Sequence, residues 1–259
     1  MAGSDATMRM ITMFESNGAK LQAGKLGGAN HTLLKAAIDE IDGQLEERPY
    51  ILMFGNPVRQ PRHVGFFADP SKTYGYFYSK MVAKSIVPGP AVKGLLDFVN
   101  TEFGSEFNGV LVNYYPDGDH YISDHSDSEA GLDPNSGVVI ISAGETRTMH
   151  FKPVDESKNP PDGSIRKFKN GAYKLDLEHG SVVAMQGPNF QKAYTHGIPK
   201  QAKVTKARWS FTFRKHSGEN ERPMIAAASR TKALIEKKLA EASAEIAESE
   251  PAAKRAKCE

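Results

Sequence analysis

The sequence predicts a mainly β domain with flanking helices, built as a double-stranded β-helix (jelly roll) of two antiparallel sheets. Three observations carry this. Short segments of strand character crowd the chain from about 109 to 213, turn clusters such as Asp133-Pro-Asn-Ser-Gly137 and Asn159-Pro-Pro-Asp-Gly163 separate them, and two helical segments come before them. Many short strands after N-terminal helices fit a double sheet with helical support.

Taken in order, residues 1–30 are rich in Gly, Ala, Ser and Met with little periodicity, and are expected to be a flexible segment. Residues 31–45 read as an amphipathic helix, because Leu33, Leu34, Ala37, Ile38 and Ile41 recur at helical spacing. Residues 93–103, with Leu95, Leu96, Phe98 and Val99 apolar, read as a second helix after the breaker Pro88-Gly-Pro90. Strands are expected at 110–114, 138–142, 148–152, 173–177, 181–185 and 207–213. From Ser217 the composition changes, and residues 231–247, dominated by Ala, Glu, Lys and Leu, suggest an exposed helix. The organisation is therefore a flexible segment (1–30), a folded domain (31–216) and a charged, partly helical tail (217–259). No internal repeat is visible.

Composition narrows the chemistry. The 259 residues and 39% hydrophobic content suit one globular domain with flexible ends. No apolar run is long enough to span a bilayer and no signal-peptide pattern is seen, so no membrane partner is expected. Cys258 is the single cysteine, which excludes structural disulfides and cysteine-ligated metal sites. Any metal must be held by His and carboxylate, and eight histidines leave few choices. A net charge of +2 does not by itself argue for nucleic acid.

His125-Ser-Asp127 places an imidazole and a carboxylate on the same side of an extended chain, and a third ligand, His196, stands in a distant segment. Two histidines and one carboxylate leave the opposite positions of a metal open, as in the facial triad of non-haem Fe(II) oxygenases. On its own His-x-Asp is a weak pattern. The segment Ala207-Arg-Trp-Ser-Phe-Thr-Phe-Arg214 adds to it. Trp209, Phe211 and Phe213 share one face; Arg208, Ser210, Thr212 and Arg214 share the other. That polar face is either a surface strand or the wall of a cavity in which a guanidinium grips a carboxylate. Asn113 and Tyr115 share a side of another strand and could donate to the same anion.

In order and spacing, these segments resemble the AlkB family of Fe(II)/2-oxoglutarate-dependent dioxygenases, above all its DNA-repair, double-strand-acting branch. The resemblance covers roughly residues 50–216. It rests on Asn113-Tyr-Tyr-Pro-Asp-Gly118, Ile122-Ser-Asp-His-Ser-Asp-Ser-Glu129, Ser142-Ala-Gly-Glu-Thr-Arg147, His179-Gly-Ser-Val, His196-Gly-Ile-Pro199 and the Arg208 to Arg214 strand. It implies that His125, Asp127 and His196 bind Fe(II). It implies that Asn113, Tyr115, Arg208, Ser210, Thr212 and Arg214 form the 2-oxoglutarate site, with Ser210 standing where the family usually has Asn. The implied reaction consumes O₂, converts 2-oxoglutarate to succinate and CO₂, and hydroxylates an N-methyl group that leaves as formaldehyde.

The implied substrate is an N-alkylated base of DNA, of the 1-methyladenine or 3-methylcytosine type, flipped from the helix. Tyr74-Gly-Tyr76-Phe-Tyr78 resembles the base-pocket strand, with Tyr78 stacking on the base opposite His125 and Tyr76 hydrogen-bonding nearby. Glu129 matches a pocket acid suited to a cationic lesion. Met53-Phe54-Gly55 before Pro61-Arg62 resembles the hairpin that probes a duplex, with Phe54 as wedge and Arg62 beside it; the plain alternative is that Phe54 ends a strand as core. Arg166, Lys167, Lys169, Lys200, Lys203 and Lys206 are candidate phosphate contacts. His120 reads as a surface or supporting group and His179 as structural, while His150 alternates into a strand and could face either side.

Two alternatives remain: an RNA demethylase of the same fold, and a hydroxylase of a protein or small molecule. The protein is expected to act as a monomer. The resemblance ends near His216, so the tail is expected to be dispensable for catalysis. Its cluster Lys254-Arg-Ala-Lys257 suggests a nuclear localisation signal, without which the expected location is cytoplasmic.

Overall fold

Period-two alternation sorts the side chains of each central strand onto two faces, and both faces are covered. The computed structural model describes residues 8–16, 18–127, 131–133, 135–154, 173–218 and 221–249. Its first half contains β1 (Arg9–Ser16), β2 (Ala19–Lys25), α1 (Gly28–Glu40), β3 (Tyr50–Met53), β4 (Asn56–Arg59), β5 (His63–Ala68), β6 (Gly75–Tyr78), β7 (Met81–Ile86) and α2 (Pro90–Phe103). Then follow β8 (Gly109–Tyr115), β9 (Ile122–His125), β10 (Val138–Gly144), β11 (Arg147–Pro153), β12 (Tyr173–Leu177) and β13 (Ser181–Gln186). The chain continues through α3 (Phe190–Ala193), β14 (Tyr194–Ile198), β15 (Arg208–Arg214) and α4 (Glu221–Ser249).

The strands form a nine-stranded sheet in the order β1-β2-β13-β10-β15-β8-β5-β7-β6, a four-stranded sheet β12-β11-β14-β9, and a separate two-stranded hairpin β3-β4. In β10, Val139, Ile141 and Ala143 point outward onto α1 and α2, against Leu34, Val92 and Leu95. The alternate residues Val138 and Ile140 point inward and meet Met149, Phe151 and Ile198 of the smaller sheet. This is the expected jelly roll, with helices supporting the outer face of one sheet. The end of α1 also builds the start of α2: the Glu40 carboxylate accepts hydrogen bonds from the Ala91 and Val92 amides at 2.7 and 3.1 Å. A negative charge there satisfies first-turn donors and suits the helix dipole.

The expected central strands are all present, some longer by a residue or two. The helix borders moved. α1 begins at Gly28 and stops at Glu40 rather than running 31–45, with Gly43 beyond it in the left-handed region (φ +70°). α2 starts at Pro90, because a proline at the first helical position gives up only an amide that has no partner there anyway.

Two expectations are corrected. Much of the segment read as flexible is ordered: β1 and β2 form a hairpin whose second strand pairs with β13, burying Phe14 and Leu21. Its apolar positions are largely Met, Ala and Gly, which carry little strand preference, so pairing to the sheet edge decides the conformation. The tail is not simply an exposed helix either. α4 starts ten residues earlier than expected, at Glu221, and buries Ala228, Thr231 and Ile235. Only its later part matches the expectation, Ile246 being 66% exposed.

Arg147, at the start of β11, is fully buried and ties the site loops together. Its Nε donates to Gln201 Oε1 at 3.0 Å, Nη1 to the Asp117 carbonyl at 2.8 Å, and Nη2 to the His120 and Pro199 carbonyls at 2.9 and 2.7 Å. The loop entering β9 and the loop leaving β14 are thereby fixed to the same side chain. Arg147→Ala would strand three backbone carbonyls, each worth about 1–3 kcal/mol when buried and unsatisfied. Urea unfolding should therefore show a loss of roughly 3–5 kcal/mol; a loss below about 1 kcal/mol would mean the clamp does not hold the loops.

Candidate active site

β14 and β9 pair antiparallel with His196 directly opposite His125. The strand register therefore brings together two imidazoles 71 positions apart in sequence, with ring centroids 4.4 Å apart. The next residue of β14, Gly197, must be small, because a Cβ there would lie 2.9 Å from the Ile122 carbonyl oxygen of β9. Asp127 stands just past the end of β9, its amide donating to Gln191 Oε1 of α3 at 2.9 Å. Its Oδ1 lies 3.7 Å from His125 Nε2 and 3.8 Å from His196 Nε2. One ion bonded at about 2.0–2.2 Å to each atom closes such spans.

The protonation states suit a metal. Burial drives the His196 imidazole down to about 3 and also lowers His125, so both rings are neutral ligands at neutral pH. His125 Nδ1 lies 2.9 Å from the Ser123 carbonyl. An N–H there leaves the Nε2 lone pair facing Asp127. For Asp127 burial favours the neutral acid, but the Arg214 guanidinium and the two imidazoles outweigh it and hold the carboxyl at about 2. Among the described residues, His125, Asp127 and His196 are the only His, Asp, Glu or Cys cluster with metal-ligand spacing.

β15 contributes the wall beside this triad. Arg208, Ser210, Thr212 and Arg214 line a cavity of about 800 Å³, while Phe211 and Phe213 turn into the helix-covered core. Asn113 and Tyr115 of the neighbouring strand β8 line the same cavity. The two arginines differ electrically. Arg214 donates to both oxygens of Asp127, from Nη2 at 2.6 Å and Nε at 3.1 Å. Arg208 donates from Nε to Ser142 Oγ at 2.9 Å and packs against the Tyr115 ring, but no carboxylate among the described residues pairs with it. Burial pulls its pKa down to about 10, and its Nη1 has no partner. A buried, uncompensated guanidinium is costly unless an anion arrives. The donor set thus fits a carboxylate-bearing co-substrate beside a metal.

The substrate-side residues form the cavity mouth. Tyr76 and Tyr78 stack on each other with ring centroids 5.7 Å apart. Tyr76 lies under the Arg214 guanidinium, and Tyr78 accepts a hydrogen bond from Gln60 Nε2 at 2.9 Å. Arg62 Nε donates to Asn113 Oδ1 at 2.8 Å, which joins the mouth to the expected co-substrate site. Phe54 is 99% exposed, so it is not core. It sits with Gly55 in a two-residue turn, both at positive φ (+48° and +80°), closed by the Met53–Asn56 pair. Lys200 lies over the Tyr121 ring at the rim, whereas Lys203 and Lys206 are exposed. Glu129, Arg166, Lys167 and Lys169 lie outside the described residues. His120 binds Asp117 at 2.6 Å, and His179 accepts from the Gly144 amide, as befits structural roles.

Gln191, Gln60 and Arg147 shape the site yet were not named for it from sequence. Gln191 stands 64 residues from Asp127, and no local spacing marks it. Arg147 lies within a quoted motif, but its four-way clamp needs the folded loops.

Three residues that could hold a metal beside an uncompensated arginine, between two largely antiparallel sheets, fit a 2-oxo-acid-dependent iron oxygenase. The chain belongs to the 2OG-Fe(II) oxygenase superfamily, whose sequence profile matches residues 27–214. The family's reactants are Fe(II), 2-oxoglutarate and O₂, and the triad with its arginines suits them. Within it, the chain is similar to the DNA oxidative demethylase ALKBH2 of Homo sapiens, 30% identical over 189 residues that cover 70% of this chain and 69% of that protein. ALKBH2 of Arabidopsis thaliana is 30% identical over 180 residues, covering 64% and 57%. Alpha-ketoglutarate-dependent dioxygenase alkB homolog 3 of Rattus norvegicus is 30% identical over 165 residues, covering 60% and 50%.

The unequal arginines make a testable distinction. Arg208→Ala should weaken 2-oxoglutarate binding by about 2–5 kcal/mol in calorimetry, the scale for truncating one partner of a buried charge pair. Arg208→Lys should also impair it, for want of the planar fork. Arg214→Ala should instead act chiefly on Fe(II) affinity, by releasing Asp127. Unchanged 2-oxoglutarate affinity in Arg208→Ala would refute the assignment.

Proposed function

We propose that this enzyme removes methyl and related groups from alkylated DNA bases by oxidation, coupled to conversion of 2-oxoglutarate to succinate. The triad, the uncompensated charge on Arg208 and the similarity to named DNA oxidative demethylases support it together. Bound iron and 2-oxoglutarate supply the oxidising chemistry. The chain's residues position the reactants. His125, Asp127 and His196 hold the metal. Arg208, with Tyr115 packed against it, takes the distal carboxylate of 2-oxoglutarate, with Ser210 and Thr212 on the same face, while Asn113 and Arg214 orient its other end. Tyr78 stacks on the flipped base and Tyr76 lies nearby. Preference for a cationic lesion rests on the sequence position of Glu129.

For duplex DNA as substrate, the strongest support is the conformation of Phe54. A two-residue turn with both residues at positive φ favours Asn, Asp and Gly, and a bulky side chain there is strained. Strain and full exposure together point to function, since neither helps folding. Phe54 at the tip suits a wedge that fills the gap left by an extruded base. A single-stranded RNA substrate would give such a wedge nothing to replace.

The protein is taken to work as a monomer. No described helix is long and apolar enough to cross a membrane. Nuclear import is proposed from Lys254, Arg255 and Lys257, which lie outside the described residues; a fused reporter should leave the nucleus when all three become Ala, and one that stays would exclude the signal.

With Fe(II), 2-oxoglutarate and methylated oligonucleotides, mass spectrometry should show loss of the methyl group, and His196→Ala should give none. No loss from any methylated DNA, with 2-oxoglutarate still consumed, would refute the substrate class. Phe54→Ala should slow duplex repair by about tenfold, equivalent to ~1.4 kcal/mol, and single-strand repair far less. Phe54→Asn should lose the same duplex activity without lowering Tm, because Asn tolerates the left-handed region. Equal losses on both substrates would discard the wedge.

A further inference from the structure

The hairpin β3-β4 that carries Phe54 shares no ladder with either large sheet. A two-stranded hairpin alone is only marginally stable in water. A wedge that displaces a stacked base must resist being pushed back, so something has to brace it. Its root is held at Gln60, whose amide donates to the Pro49 carbonyl and whose side chain reaches Tyr78. One side of it meets α4, which contacts β3, β4 and the neighbouring strand β7.

Two features make α4 a built element here. Ala228, Thr231 and Ile235 are buried at the spacing of one helix face. At its first turn the Glu221 carboxylate accepts from the Thr73 hydroxyl at 2.7 Å and the Tyr74 amide at 3.0 Å. Those residues lead into β6, the strand of Tyr76 and Tyr78. One helix therefore joins the start of the base-pocket strand to the hairpin. It lies wholly beyond residue 214, where the family profile ends.

We propose that α4 is a strut that holds the Phe54 hairpin at a fixed position relative to the base pocket, and so sets the efficiency of duplex repair. The inference rests on the reading of the hairpin as a duplex probe. A rigid link lets the wedge enter the stack while the extruded base reaches Tyr78; preorganisation of this kind improves binding without any new contact. Single-stranded substrate needs no wedge, so its repair does not need the strut.

The test uses the full chain loaded with Fe(II) and 2-oxoglutarate, and duplex and single-stranded forms of one methylated oligonucleotide. Ile235→Asp, on the packed face, should lower the duplex to single-strand rate ratio about tenfold, as Phe54→Ala does. The double variant should lose little more than either single one, because both act through one device. Hairpin amides should exchange hydrogen faster in Ile235→Asp while those of β10 stay protected. Glu221→Gln, which loosens only the start of the helix, should shift ratio and exchange in the same direction, and serves if the Asp variant does not fold. Ile246→Asp, on the exposed end, should change neither; an equal effect there would overturn the proposal. If Phe54→Ala lowers the ratio but Ile235→Asp and Glu221→Gln leave ratio and exchange unchanged, the strut is wrong and the hairpin reading stands. If Phe54→Ala itself leaves the ratio unchanged, the hairpin reading fails and the strut role falls with it.

Discussion

The pair between Asp127 and Arg214 is the interaction on which the centre of this enzyme depends. Arg214 ends β15 in the nine-stranded sheet, and Asp127 follows β9 in the four-stranded one. Two hydrogen bonds between buried groups join the end of the interior strand β15 to the segment that follows β9, the edge strand of the four-stranded sheet. Such a pair is not a large net source of stability, because desolvation offsets most of its attraction. It does fix geometry: only one arrangement of the sheets leaves neither charge unpaired. That arrangement keeps an ionised carboxylate beside two neutral imidazoles, which is the protonation pattern a metal requires.

Arg208 is the complement of this pair. It lies six residues earlier on the same strand face, equally buried, with a serine hydroxyl in place of a counter-charge. Arg147, the third buried arginine, has no carboxylate either, but four oxygen acceptors surround it. One fold thus treats three guanidiniums in three ways: neutralised, solvated by carbonyl dipoles, and left waiting for a ligand. A co-substrate carboxylate at Arg208, as proposed, would supply a missing counter-ion, and its binding would then stabilise the folded state as well as prepare the reaction.

The legible parts of the sequence were those where local pattern and chemistry coincide. The alternation of Trp209, Phe211 and Phe213 with Arg208, Ser210, Thr212 and Arg214 separates core from cavity, and the structure keeps that separation. His125 and Asp127 are two residues apart, so their approach could be read from spacing; their meeting with His196 needed the family pattern, because only the β9–β14 register creates it. What escaped depends on distant pairing. The N-terminal hairpin is a strand pair because β13 offers an edge, and Met, Ala and Gly do not announce it. The composition of α4 suits an exposed helix, and its sparse buried stripe of Ala228, Thr231 and Ile235 is too weak a signal to reveal the surface it covers.

The same division separates chemistry from substrate choice. The groups expected to act on iron and 2-oxoglutarate sit inside two interlocked sheets, where burial sets their charge and register sets their spacing. The device proposed to read a duplex stands apart on a hairpin with no ladder to those sheets. The hairpin then needs support from outside the ladders of the jelly roll, and α4, which contacts it from beyond the region that the family profile matches, is the element proposed to give it. On that proposal, changes in α4 would retune how the enzyme meets DNA while leaving the metal geometry untouched.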